Sequence, residues 1–131
     1  MSRSEVLRSA IENFYQDPKH SDILCDILEK RNGISLRNLE WFITNYSKQK
    51  NLSFVTSGGQ RFVVHCSYKS TLDGYSKKLF DPFCRSDKIE FKIPNSEKNI
   101  QTTVAQLNFI RWCIKNSIID YIREHKDELK K

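Results

Sequence analysis

The sequence is poor in the features that mark disordered, secreted or membrane-spanning chains. Only 4 glycines and 3 prolines occur in 131 residues, which argues against a low-complexity or disordered protein. No apolar run reaches the roughly 18 residues that a membrane-spanning helix requires, and residues 1–10 carry charges where a secretory signal would be apolar. The four cysteines contain no CxxC pair. These absences predict an intracellular protein with reduced thiols and no membrane association.

Signatures of catalysis and of metal binding are also scarce. The sequence has no glycine-rich phosphate loop, and its cysteines and histidines lack the close pairs of structural zinc sites, although His65, Cys66 and Cys84 could in principle share a metal. Glu90 and Lys92 fall on one face of a predicted strand, as in some metal-dependent nucleases, but any half-buried strand has such a polar face. We expect no cofactor, no metal and no enzymatic activity.

The first third of the sequence has the apolar spacing of helices. Apolar residues recur at three- and four-residue steps from about residue 4 to residue 16 and in two further segments. Asp17-Pro18 is expected to end the first helix. Ser21 or Asp22 is expected to cap the second helix, and Asn32-Gly33 to end that second helix. Ser35 is expected to cap the third helix.

The middle of the sequence favours strands. Residues 52–56 and 61–68 are rich in β-formers and flank Gly58-Gly59, which suits a tight hairpin turn. A short helix is expected over residues 70–79. Residues 88–93 alternate, with Ile89, Phe91 and Ile93 predicted to face inward and Glu90 and Lys92 outward.

Helical spacing returns in the last third. Thr102 or Thr103 can cap a helix over residues 102–126, which Asn116-Ser117 either bends or divides in two. The sequence therefore predicts one α+β domain over residues 1–131. Residues 1–50 are expected to form a helical module, and residues 51–93 a small antiparallel sheet of about three strands with a basic loop. The hairpin 52–68 and the strand 88–93 would make up this sheet. A long C-terminal helix or helix pair would follow.

Positive charge is concentrated in the middle of the chain. The formal net charge is +6, and residues 44–92 contain 9 Lys or Arg against 4 Asp or Glu, whereas residues 1–43 contain 6 against 7. Aromatic residues alternate with these bases, a composition that suits DNA or RNA because bases attract phosphates and rings stack on nucleobases. An ordinary solubilised surface over an aromatic core would look similar. The candidate nucleic-acid-binding residues are Lys69, Lys77, Lys78, Arg85, Tyr68 and Tyr75.

A turn lies within this basic region. Asp81-Pro82 predicts a rigid turn in which the Asp81 carboxylate accepts backbone hydrogen bonds. Phe80, Phe83 and Cys84 are expected to be buried around it, which would leave Arg85 projecting.

Several segments together suggest a family. The segments are Trp41–Lys48, His65–Ser70, Tyr75–Lys78, Phe80–Arg85 and Gln106–Trp112. Over about residues 35–122 the sequence resembles small uncharacterised proteins of nucleocytoplasmic large DNA viruses. That resemblance implies a viral setting, which is the host cytoplasm, a virus factory or the virion, and it supplies no functional residues.

Two functions remain open from the sequence. The first is a non-catalytic accessory protein that associates with DNA or RNA through the basic central region. The alternative is a virion structural component, or a protein that interacts with other viral proteins, without enzymatic activity. The sequence leaves the choice between DNA and RNA and the oligomeric state open.

Overall fold

A computed structural model describes residues 3–30, 34–56, 58–85, 88–94 and 96–125. Within these residues, helices lie towards both ends and four short strands lie between them, so the predicted α+β class is confirmed. In chain order the elements are α1 (Arg3–Phe14), α2 (Pro18–Leu28), α3 (Leu36–Trp41), a π-helical turn (Phe42–Tyr46), α4 (Ser47–Gln49), β1 (Ser53–Val55), β2 (Arg61–Val63), α5 (Val64–Tyr75), α6 (Lys77–Phe80), β3 (Ile89–Lys92), β4 (Asn99–Thr102), α7 (Val104–Lys115) and α8 (Ile118–Glu124).

The junction between α1 and α2 is tighter than predicted. The Asp17 side chain accepts a hydrogen bond from the Lys19 backbone N–H at 2.9 Å, and Pro18 occupies the first turn of α2. The prediction that Ser21 or Asp22 caps α2 was therefore wrong, because Asp17-Pro18 ends one helix and begins the next. Ser21 is buried within α2, and its hydroxyl donates to the Pro18 carbonyl at 3.2 Å.

The beginning of α3 follows the sequence closely. The Ser35 side chain accepts from the Asn38 backbone N–H, and the Asn38 side chain accepts from the Ser35 backbone N–H in return. The predicted Ser35 cap is confirmed. The predicted end of the preceding helix at Asn32-Gly33 lies outside the described residues.

The strands form two hairpins instead of one three-stranded sheet. Antiparallel β1 and β2 pair with each other, and β3 pairs antiparallel with β4, a strand that the sequence did not predict. The expected strand over residues 61–68 ends at Val63, because Val64 and Tyr68 are one helical turn apart and the helix buries both. In the β3 region, Phe91 and Ile93 are buried and Ile89 is half-buried, whereas Glu90 and Lys92 are exposed, as predicted.

Helix α7 lies at the centre of the core. It contacts α1, α2, α6 and α8, and the buried side chains form one cluster that extends from Leu7 to Ile122. The Thr103 side chain caps α7 by accepting from the Gln106 backbone N–H. Ser117, at φ +62°, then separates α7 from α8, so the C-terminal region is a helix pair.

Candidate nucleic-acid interface

The segment that carries the predicted site begins at a break between α5 and α6. Ser76 separates the two helices with φ +76° and ψ 162°, a backbone region that is almost exclusive to glycine. Lys77 and Lys78 follow it at the start of α6, and Phe80 at the end of α6 is fully buried. The predicted helix over residues 70–79 is therefore two helices with a strained joint, and the first of them starts earlier, at Val64.

The turn after α6 has the predicted cap. The Asp81 carboxylate accepts a hydrogen bond from the Phe83 backbone N–H at 2.9 Å, and Pro82 is buried. Arg85 is exposed, but the expected burial of Phe83 was wrong. The Phe83 side chain is 48% exposed, and the Arg37 guanidinium carbon lies 5.6 Å from its ring centroid.

Helix α7 fixes the backbone of this segment through side-chain hydrogen bonds. The Asn108 side-chain amide donates to the Leu79 carbonyl at 2.8 Å, and the Gln106 amide donates to the Pro82 carbonyl at 3.2 Å. The Thr102 hydroxyl in turn donates to the Gln106 side-chain oxygen at 2.7 Å. These bonds hold residues 79–82 in one position, so the neighbouring bases project from a rigid support.

Four of the six predicted site residues lie on the surface. The side chains of Lys69, Lys77, Lys78 and Arg85 are exposed. Tyr68 is only 7% exposed, and its ring packs against Phe80, Phe109 and Trp112. Burial, followed by the nearby acidic groups Asp81, Glu40 and Cys113, raises the pKa of Tyr68 to about 12. The expectation that Tyr68 stacks on a nucleobase was wrong, because its ring belongs to the core.

Tyr75 lies at the boundary between core and surface. It is half-buried, and its ring stacks on Phe80 with centroids 6.0 Å apart and ring planes inclined by 20°. Its hydroxyl oxygen lies 3.5 Å from an Arg111 guanidinium nitrogen, which donates a hydrogen bond to it. Tyr75 therefore retains surface for a ligand, and the fold brings an unforeseen cation, Arg111, next to it.

Two further residues that were not predicted as site residues adjoin Lys69. Burial lowers the pKa of His65, and the positive charges of Lys48 and Lys69 lower it further. His65 and Lys69 are one turn apart on α5, and Lys48 approaches from α4, which contacts α5. The fold thus joins bases that are distant in sequence, which no local pattern could have indicated.

The charge pairs that the described residues form lie outside the central region. Within the described residues they are Arg8–Glu12, His20–Asp17, Lys98–Glu29 and Arg123–Asp26. We use the term central bases for six exposed side chains: Lys48, Lys50, Lys69, Lys77, Lys78 and Arg85. In the part of the chain that the structure describes, none of them has a carboxylate within ion-pair distance.

Comparison with known proteins gives a family. Over residues 1–131 the sequence matches a family of unknown function, DUF7197. The chain belongs to this family. It is 40% identical over 128 residues to uncharacterized protein L507 of Acanthamoeba polyphaga mimivirus, and the match covers 92% of this chain and 49% of that relative. The chain therefore spans about half the length of the curated relative that it matches. No solved structure matches.

The family membership bears out the predicted resemblance. Mimivirus is a nucleocytoplasmic large DNA virus, and the similarity extends beyond the expected residues 35–122 to nearly the whole chain. The family description indicates no catalytic class. Among the described residues, no helix is both long and apolar enough to cross a bilayer, and no three His, Cys, Asp or Glu side chains are placed to hold a metal ion.

None of the four cysteines forms a disulfide in the described structure. Cys25 and Cys113 are buried, Cys84 is half-buried and Cys66 is exposed. Burial raises the pKa of the Cys113 thiol well above its usual range. His65 and Cys66 lie on helix α5 and not on the predicted strand. Their side chains do not face each other, because consecutive residues of a helix point in different directions.

Proposed function

We propose that this protein binds nucleic acid through its central bases, as a non-catalytic accessory protein. The observation that carries the proposal is the difference in charge pairing. Three bases outside the central region, Arg8, Lys98 and Arg123, form charge pairs with acids. The central bases are exposed and concentrated in one part of the chain, and none of them has a carboxylate partner in the described structure. A phosphate backbone would supply the missing negative charge and would release its own counterions on binding.

Local electrostatics support the same function. Lys48 and Lys69 lower the pKa of His65, which means that they create a positive potential at that side chain. The same potential attracts a phosphate. Two acids interrupt the set along the chain: Asp73 follows Lys69 by one turn of α5, and Asp81 lies between Lys78 and Arg85. Neither lies within ion-pair distance of a central base in the described structure.

The rigid support under the basic segment also favours binding. Because Asn108 and Gln106 hold the carbonyls of Leu79 and Pro82, the backbone near Lys77, Lys78 and Arg85 is already ordered. Binding then costs less conformational entropy than it would for bases on a mobile loop. The mimivirus relative supports a viral setting for the proposed activity, and the host cytoplasm, a virus factory or the virion would be its compartment.

The test is the salt dependence of oligonucleotide binding. A fluorescently labelled oligonucleotide is titrated with the protein at about 50 mM and about 200 mM salt, a range over which phosphate-driven binding weakens steeply. The double variant Lys77→Glu/Lys78→Glu should bind much more weakly and with a flatter salt dependence. Lys19→Glu/Lys30→Glu makes the same charge change on exposed residues near α2 and should have a much smaller effect.

A second candidate function is protein interaction, including a structural part in a virion. One feature favours it: Val55 and Val63 are 60% and 41% exposed on the same face of the β1–β2 hairpin. If the unmodified protein binds no oligonucleotide at low salt, nucleic-acid binding is refuted. Self-association that Val55→Lys abolishes would then establish the hairpin face as an interface.

A further inference from the structure

A cleft lies beside the basic segment, between α1 and the α5–α6 junction. It has a volume of about 320 Å³ and is lined by Val6, Leu7, Ala10, Tyr75, Leu79 and Arg111. This volume is at the lower end of the range of ligand pockets, so the cleft suits one small group. Tyr75 of α5 and Leu79 of α6 flank the strained joint at Ser76, and both line the cleft.

The walls of the cleft combine three chemistries. Helix α1 contributes aliphatic side chains, including Val6, which is 53% exposed. Tyr75 contributes an aromatic ring, and Arg111 contributes a guanidinium group. Within the described residues Arg111 has no carboxylate at ion-pair distance, and it donates a hydrogen bond to the Tyr75 hydroxyl oxygen. The occupant that complements these walls has a flat apolar part and a negative charge.

We propose that this cleft binds one unpaired nucleotide of a single-stranded nucleic acid. The base would contact Tyr75 and the aliphatic wall of α1, and the adjoining phosphate would contact Arg111. Lys77 and Lys78 connect Tyr75 to Leu79 along the chain, so further phosphates of the same strand would meet bases at the rim. The inference rests on the proposed function and makes it specific, because the bases of a duplex are stacked and paired and cannot enter the cleft.

The test compares the affinity for single-stranded and for double-stranded oligonucleotides when a substitution blocks the cleft. Ala10→Leu adds aliphatic volume to the cleft wall without changing charge, and Ser9→Leu makes a similar change at the neighbouring exposed position, which does not line the cleft. Fluorescence anisotropy measures affinity for a single strand of about 12 nucleotides, within the usual site size of such proteins, and for its duplex. Ala10→Leu should weaken single-strand binding roughly tenfold, the loss of one stacked base, and leave duplex binding unchanged.

A second variant keeps the test decisive if Ala10→Leu disturbs α1. Arg111→Met keeps an aliphatic side chain and removes the charge, and it should weaken the single strand more than the duplex. Circular dichroism verifies the fold of each variant. Equal effects of Ala10→Leu and Ser9→Leu, with Arg111→Met lowering both affinities alike, would overturn the cleft proposal and leave nucleic-acid binding intact. Absence of binding to either strand form would overturn both.

Discussion

The terminal and the central regions of this protein handle their charges differently. In the terminal regions, three bases lie close to acids: Arg8 pairs with Glu12 within one helix, and Lys98 and Arg123 pair with Glu29 and Asp26 from distant segments. In the central region, the bases extend into solvent without such partners among the described residues. Charge that is balanced within the fold serves solubility and local structure, whereas unbalanced charge on a surface is available to an external anion.

The two regions also differ in how they are anchored. Helices α1 and α2 contact α7 chiefly through apolar side chains. The segment 79–82, which ends α6 and begins the following turn, is held in addition by side-chain amides of α7 that donate to its backbone carbonyls and by the fully buried ring of Phe80. The basic region is thus an anchored part of the fold and not a loose tail, and four predictions probe this contrast.

The largest expected effect is the loss of the Phe80 anchor. Phe80→Ala should lower the free energy of unfolding by about 3–5 kcal/mol, because a fully buried ring leaves both a cavity and lost transfer energy. Urea denaturation measures the change. Phe83→Ala, three residues later on an exposed ring, should cost only a few tenths of a kcal/mol. Similar losses for the two variants would mean that the central segment is not anchored as described.

The next effect in size is relief of strain at Ser76. Ser76→Gly should raise the free energy of unfolding by about 1 kcal/mol, because glycine adopts a positive φ angle without steric cost, although it adds entropy to the unfolded chain. Thermal unfolding measures the shift. Ser70→Gly, at an exposed position inside α5, should destabilise the protein by about 0.5 kcal/mol. The opposite signs identify strain at the joint, and a loss at both positions would contradict it.

Local signals made much of the fold predictable. Helix starts at Ser35 and Thr103 depend on a side chain and a backbone N–H within the same turn, so the sequence contains the whole interaction. The strand expected over residues 61–68 ends at Val63, because burial of Val64 and Tyr68 against the core outweighed the β-propensity of the remaining residues. Strand β4 was missed because its short polar sequence depends on pairing with β3.

Of the predicted site residues, the exposure of the bases, including Arg85, was predictable and the placement of the aromatic rings was not. Exposed Lys69, Lys77 and Lys78 follow from composition, since lysine is rarely buried. Composition does not distinguish Tyr68 from Tyr75, yet Tyr68 belongs to the core and Tyr75 reaches the surface. The approach of Lys48 to His65 and of Arg111 to Tyr75 results from tertiary packing, which a single sequence does not encode in any local pattern.

A smaller effect is expected for the removal of single central bases. Replacing Lys69 or Lys78 with Gln should reduce the slope of log affinity against log salt by about one, the contribution of one phosphate contact. Arg123→Gln, which removes a base paired with Asp26, should leave the slope unchanged. Equal slopes in all three variants would mean that charge pairing does not distinguish the two regions.

The smallest expected effect is the proton linkage of His65. Burial first, and then Lys48 and Lys69, hold its pKa below the usual 6.5. The unfolded chain therefore binds more protons between the folded pKa and 6.5, so stability should fall slightly as the pH drops through that window. Lys48→Gln/Lys69→Gln should make this loss smaller, because it removes two of the causes of the shift.

A phosphate bound nearby should act in the opposite direction and raise the pKa of His65. NMR titration of the three histidine side chains with and without oligonucleotide measures this change in the pKa of His65. His20 and His125 serve as references outside the central region. A His65 titration that oligonucleotide binding leaves unchanged would exclude phosphate contact at Lys48 and Lys69 and confine binding to the surface around Lys77, Lys78 and Arg85.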